Sequence, residues 1–308
     1  MILAVTLNAA LDVTYDVDAL VPHATHRVRE VRTRAGGKGV NVARVLRALG
    51  HDVVVSGFAG GATGAAIRAD LAAAGLPDAL VPVAGESRRT VTVVAAADGD
   101  ATLFNEPGPE VSDDEWAAFA DRFAVLAAGA DAVVLSGSLP PGVRPDAYAR
   151  LVAATDARTV VDADGPVLAA ALAARPDVVK PNAAELAAVA GAGDPREAAA
   201  WLRARGAGAV VASLGADGLL AVTADGAWRA RPPRRVAGNP TGAGDACVAA
   251  LTAGLVAGAA WPDLLRDAVS LSAAAVAAPV AGDVDLDLHR RHRAAVHLEE
   301  IHAAHTDR

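Results

Sequence analysis

The sequence predicts a doubly wound α/β fold, with a mostly parallel sheet covered by helices on both faces and a small β-sheet lid. Two observations carry this. From residue 113 onward, short apolar runs alternate with stretches of helical periodicity, the pattern of parallel strands joined by crossover helices. Before that, two segments alternate apolar and polar residues, which marks strands with one wet face. They cluster at 13–34 and 88–105 and do not fit the parallel pattern. The chain therefore reads as one domain over 1–308, with a lid from about 12–34 and 88–105 lying over the strand ends.

Taken in order, Ile2 to Leu7 is a short buried strand. Val13 to Val17 and His26 to Thr33 are exposed strands. Val40 to Leu49 is a helix, because Val42, Val45, Leu46 and Leu49 share one face. Asp52 to Phe58 is a strand and Gly64 to Ala74 a helix. Thr90 to Ala97 and Ala101 to Asn105 flank a hairpin turn at Asp98-Gly99. Helices at Asp113 to Leu126, near Pro145 to Thr155 and near Val167 to Ala174 then lead to strands at Ala132 to Leu135, Thr159 to Asp162 and Val178 to Lys180. Helices at Ala183 to Val189 and Arg196 to Arg205 lead to the strand Ala209 to Ser213. Leu219 to Thr223 and Ala227 to Ala230 form a hairpin. Gly242 to Gly258 and Leu264 to Ala278 are helical.

Composition narrows the function. The 308 residues suit one large α/β domain, and the formal charge of -8 argues against a nucleic-acid partner. An anionic substrate must then be gripped by local groups. The single cysteine, Cys247, permits no internal disulfide and fits a reducing cytoplasm. The first residues have no basic n-region, and Asn8 and Asp12 break their apolar run, so no signal peptide is expected. The Ala-rich region after Leu251 is broken by Gly254, Gly258, Pro262 and Asp263, so no membrane span is expected.

Three stretches carry chemistry. Gly36-Gly37-Lys38-Gly39 precedes a helix and is built to hold a phosphate, but no hydroxyl follows Lys38 as a P-loop requires. Thr241-Gly242-Ala243-Gly244-Asp245 opens a helix of small residues. Successive N–H groups there form an anion site, and Asp245 in the first turn can take a proton from an attacking hydroxyl. A Gly-rich turn with Asp245 as a helix-start residue fits the same letters. Lys180-Pro181-Asn182 with Glu185 follows a strand. Asn182 and Glu185 offer oxygens that suit magnesium held mainly through water, and suit a helix-capping pair equally well. Small-residue turns also end strands at Ser136 to Gly142 and Ser213 to Gly218.

Together these motifs resemble the PfkB (ribokinase-like) carbohydrate kinases, most of all the 1-phosphofructokinase branch that includes tagatose-6-phosphate kinases. The resemblance runs from Thr6 to Asp12 through Gly36 to Arg44, Ser136 to Gly142 and Lys180 to Glu185 to Thr241 to Asp245. It implies ATP-dependent phosphorylation of a phosphorylated ketohexose, fructose 1-phosphate to fructose 1,6-bisphosphate. Tagatose 6-phosphate or fructose 6-phosphate is the alternative acceptor. An unphosphorylated sugar or nucleoside kinase, or a silent sugar-phosphate sensor, fits less well. It also implies roles: Lys38 and Arg88 on the sugar's phosphate with Ser138 near them, and Asp12, Asn41 and the Gly37 backbone on sugar hydroxyls. Lys180, Ser213 and Gly215 face the nucleotide, and Asn182 and Glu185 organise magnesium and ATP phosphates. Gly242, Ala243 and Gly244 form the anion hole, with Asp245 as base. The implied partners are ATP and a sugar phosphate, and the lid is also a candidate homodimer contact. Ala9 replaces a usual Pro, which alters loop stiffness more than chemistry. Asn239-Pro240 stands where many members have Asp-Thr, whose Asp helps bind a monovalent cation, so a potassium requirement stays open.

Other features read as structure. Gly57 to Gly64 does not match a dinucleotide fingerprint. Cys247 and the four tryptophans read as packing. His289, His292, His297, His302 and His305, interspersed with arginines, read as a solvated helix and tail.

Overall fold

The computed structural model describes residues 1–97 and 100–301. The turn expected at Asp98-Gly99 and the residues His302 and His305 lie outside them. A central strand β1 (Ile2–Thr6) pairs in parallel with β4 (Val53–Ala59) on one side and β8 (Ala132–Ser136) on the other. β9 (Arg158–Asp162), β10 (Val178–Val179) and β11 (Ala209–Ser213) continue the parallel run. The two-residue strand β5 (Val81–Pro82) adds to the far edge beside β4. The hairpin β12 (Leu219–Val222) and β13 (Ala227–Arg231) extends the other edge antiparallel.

All five residues of β1 are buried, because helices cover both sheet faces. Ile2 and Ala4 join one apolar cluster, and Leu3 and Val5 the other. The first cluster takes α1 (Lys38–Ala48), α2 (Gly61–Ala73), α8 (Ala243–Val256) and α9 (Trp261–Val276). The second takes α3 (Asp113–Ala127), α4 (Ala147–Ala153), α5 (Gly165–Ala171), α6 (Ala183–Ala190) and α7 (Pro195–Ala204). α8 is rich in alanine, and Ala246, Cys247, Ala249 and Ala250 are buried in it, so it packs closely on the sheet.

A separate four-stranded sheet has the order β3-β2-β6-β7. Its strands are β2 (Ala10–Val17), β3 (Glu30–Gly36), β6 (Arg88–Ala95) and β7 (Ala101–Asn105), drawn from the two segments expected.

The C-terminus corrects the sequence reading. α10 (Leu286–Arg293) is not a solvated helix: Leu288 and His292, four apart and so on one face, are 6% and 5% exposed. Arg293 fastens it to α9 by donating to both carboxylate oxygens of Asp267, at 2.5 and 3.2 Å. The supposed tail contains β14 (His297–Glu300), which pairs antiparallel with β13 and closes that edge of the sheet. Among the described residues no helix is long and apolar enough to cross a membrane.

Candidate active site

The Asn-Glu motif follows the parallel strand β10, whereas the two glycine-rich motifs follow β3 of the small sheet and the segment after the antiparallel β13. Lys38 opens α1 directly after β3. Gly37, at φ +99, is the N-cap, and no side chain caps that helix end. The first N–H groups of the helix are thus left without a side-chain cap. Gly242 does the same for α8. It is the N-cap at φ +88, again with no side-chain cap. The Ala243 N–H donates to Pro240 O at 3.2 Å, which closes the turn that leads into the helix. Gly244 passes close to the next group, since a Cβ there would lie 3.6 Å from Lys180 Nζ.

Asp245 is 6% exposed in the first turn of α8. The Asn41 amide donates to its Oδ2 at 2.8 Å. Burial, with the nearby Asp162 charge, pushes its pKa up to about 6, while Asn41, Lys38 and Lys180 pull it down. A carboxylate poised there is charged at neutral pH and only moderately reluctant to take a proton, which is what a general base needs.

Asp162 belongs to none of the sequence motifs, and it lies at the centre of the site. It ends β9 and is 1% exposed. Lys38 Nζ and Lys180 Nζ each stand 3.3 Å from its Oδ1, and Ser136 Oγ donates to its Oδ2 at 3.3 Å. Burial alone opposes charge on all three groups. Their mutual attraction wins: the Asp162 pKa is held below the usual carboxylate range, and both lysines are held above theirs. The one sequence signal is an Asp at the carboxyl end of a parallel strand. Its partner Lys38 is 124 positions away.

The sugar-side candidates gather on the small sheet. Asp12 on β2 is paired in register with Arg34 on β3 and Thr90 on β6. Its carboxylate lies over Gly36, where a Cβ would fall 2.0 Å from Oδ2, so a side chain there would push the carboxylate aside. Burial raises the Asp12 pKa to about 6, with Arg88, Thr90, Arg34 and Arg44 opposing. Arg88 Nε donates to the Asn8 carbonyl at 3.0 Å. Ser138 Oγ accepts from Asn8 Nδ2 at 3.2 Å. Arg34 also reaches out of the sheet to Asp283 Oδ1 at 2.5 Å and Ala281 O at 3.3 Å.

On the other side, Asn182 and Glu185 form the capping box of α6. The Glu185 N–H donates to Asn182 Oδ1 at 2.9 Å, and the Asn182 N–H to Glu185 Oε2 at 2.8 Å. The capping reading is therefore realised. Asn182 bridges to Ser213 across the sheet edge, and Gly215 at φ +62 starts the next turn with open space beside it. Glu185 acts electrostatically on both Lys38 and Lys180. These hard oxygen donors fit magnesium. Among the described residues no group of three or more His, Cys, Asp or Glu could hold a metal ion. The structure thus links Lys38, Asn41, Lys180 and Asp245 directly or through Asp162. Asp12, Arg88 and Ser138 form a second group around Asn8 and the small sheet, and Asn182, Glu185, Ser213 and Gly215 line the third side.

An α/β sheet with two open helix starts, a buried carboxylate between them and two lysines beside it defines a phosphoryl-transfer enzyme. Residues 5–286 match the pfkB family carbohydrate kinases, and the chain belongs to that family. It is 40% identical to a 1-phosphofructokinase of Rhodobacter capsulatus over 284 residues, covering 89% of this chain and 90% of that one. It is 41% identical to a 1-phosphofructokinase of Xanthomonas campestris pv. campestris over 266 residues, 82% and 84% of the two chains. Its fold superposes on phosphofructokinase-2 from Escherichia coli, solved in complex with potassium, with a TM-score of 0.90. The sequences are 32% identical, over 95% of this chain and 98% of that one.

Proposed function

We propose that the chain transfers the γ-phosphoryl group of ATP to fructose 1-phosphate, giving fructose 1,6-bisphosphate and ADP. The observation that carries this is the buried Asp245, held by Asn41 at the open start of α8 beside two lysines that share Asp162. The name of the relatives, 1-phosphofructokinase, supports the choice of acceptor.

In this reading Lys38, Arg88 and Ser138 hold the phosphate already on the sugar, and Asp12, Asn41 and the Gly37 backbone orient its hydroxyls. The acceptor hydroxyl attacks the γ-phosphorus and gives its proton to Asp245. The bond from phosphorus to the β–γ bridging oxygen breaks, and ADP leaves. The N–H groups of Gly242, Ala243 and Gly244 stabilise the charge that spreads over the transferred group, and Lys180 supports them. Ala243 must give up its bond to Pro240 to do so. Magnesium, when bound, neutralises phosphate charge, and Asn182 and Glu185 would hold it, mainly through water. Ser213 and Gly215 line the nucleotide. The small sheet is a lid that keeps water from the reacting atoms. Asn239-Pro240 at the entry to the anion turn argues against a carried-over potassium site. The enzyme acts in the cytoplasm, the compartment that holds ATP.

The lid also makes a homodimer contact. Among the described residues the large exposed apolar side chains are Leu20, Val21, Val28, Val31, Leu103, Phe104, Val125 and Val256, and the first six lie in the small sheet or its β2–β3 loop. Patches of this kind mark protein contacts.

Initial rates with ATP and magnesium test the acceptor. Fructose 1-phosphate should give the highest kcat/KM, above fructose 6-phosphate, tagatose 6-phosphate and fructose. A higher value for any of those three overturns the assignment. Chelating the divalent ion should abolish turnover, and magnesium should restore it.

A further inference from the structure

Asn8 is 6% exposed and lies between β1 and β2, where the chain leaves the main sheet for the small one. Its side-chain nitrogen donates to Pro107 O at 3.0 Å and to Ser138 Oγ at 3.2 Å. Pro107 lies just past β7, where the chain returns from the small sheet. The Asn8 backbone carbonyl accepts from Arg88 Nε at the start of β6. One residue thus touches three points where the small sheet meets the core.

The bond to Pro107 settles the polarity of this cluster. A carbonyl oxygen can only accept, so the end of the amide facing Pro107 must be the NH₂ group. The same nitrogen faces Ser138, so Ser138 Oγ accepts from it. Its own proton is then left to donate elsewhere. A phosphate monoester dianion has only acceptor oxygens and requires donors. The oxygen of the amide, Oδ1, is buried without a hydrogen-bond partner. A Cβ on Gly108 would fall 2.2 Å from it, so glycine there leaves room for the end of the amide. An orphaned buried oxygen is costly, and it marks a place where the donor end of the amide is needed.

We infer that Asn8 is a positioning residue: it presents the Ser138 hydroxyl as a donor, and fixes Arg88 beside it, toward the phosphate of the sugar. This rests on the assignment of Ser138 and Arg88 to that phosphate. Nothing requires Asn8 to touch the substrate.

The test is a double-variant cycle read by steady-state kinetics. Asn8→Leu keeps the approximate volume and removes both donors without adding charge. It should raise KM for fructose 1-phosphate about 5- to 30-fold, part of the worth of one hydrogen bond to a charged group, with KM for ATP changed less than about twofold. Ser138→Ala should raise the same KM by a similar factor. The two together should add less than about twofold to the larger single effect, because both act through one hydroxyl. A merely structural Asn8 would raise KM as much in the Ser138→Ala background as in the wild type, and that multiplicative result overturns the inference. An unchanged KM in Asn8→Leu overturns it too. If Ser138→Ala has no effect while Lys38→Ala does, Ser138 is not on the phosphate. The inference then falls with that one assignment, and the rest of the proposed site stands. Should Asn8→Leu not fold, Asn8→Ser is read in the same cycle against the same outcomes.

Discussion

Replacing Asp245 by Asn should destroy turnover and stabilise the fold at once. The carboxylate is 6% exposed, and its pKa rises from 3.8 to about 6 in the folded chain. Unfolding returns it to water, where it ionises more easily. At pH 7.5 the charged form is therefore better off unfolded, and a rise of that size corresponds to about 3 kcal/mol of lost stability. An amide of the same shape carries no such cost and still accepts from Asn41, but it brings an NH₂ group that needs a partner. A net gain of about 1–3 kcal/mol remains, or about 2–6 °C in melting temperature. The sign with pH follows from a raised carboxylate. The wild type is penalised above pH 6, recovers as it protonates through pH 6, and loses all difference below about pH 4, where both states are protonated. Thermal and urea unfolding of both proteins from pH 4 to 8 measures this. In the same variant kcat should fall about 100- to 10,000-fold, the worth of a positioned base. An Asn variant that is no more stable at pH 7.5, or whose advantage does not shrink toward pH 4, would refute the claim that burial strains this carboxylate. Near-normal turnover would remove Asp245 as the base.

The other expectations are simpler to measure. In wild type, kcat/KM for fructose 1-phosphate should fall as pH drops through about 6, because Asp245 must be ionised; with Asp12 titrating near the same value, the slope should exceed one decade per unit. Lys38→Ala should raise KM for the sugar phosphate about 10- to 200-fold and leave KM for ATP nearly unchanged; a defect confined to ATP would reverse the assignment of the two halves of the site. Phe104→Glu, placed on the exposed apolar part of β7, should shift the sedimentation coefficient from dimer toward monomer, and an unchanged coefficient would move the contact elsewhere.

The main elements were legible because their signals are local. β1, α1 and β11 follow from runs and periodicities that a dozen residues contain, and glycines at 37 and 242 announce open helix starts within a few positions. What escaped depends on distant partners. Asp162 carries one local mark, its place at the carboxyl end of a strand, and only the arrival of Lys38 and Lys180 gives it meaning. β14 has too few apolar residues to read as a strand. It becomes one by pairing with β13, whose backbone groups would otherwise lie unpaired at the sheet edge. Asn182 and Glu185 show the opposite limit. Their spacing predicts a cap and a metal site equally, and the structure realises the cap without discarding the oxygens a metal ion would use.

Asp162 serves as one counter-ion to two lysines, and this has a consequence for how substrates bind. If a sugar phosphate draws Lys38 away, the carboxylate is left wholly to Lys180, which then offers less free charge to a nucleotide. If the nucleotide binds first, the same transfer runs the other way. On the proposed assignment of Lys38 to the sugar phosphate and Lys180 to the nucleotide, the two affinities are linked through a single side chain, and linkage is reciprocal: each substrate changes the other's dissociation constant by the same factor. Removing that carboxylate while keeping both lysines would not only weaken a buried pair. It would let each half of the site fill without regard to the other.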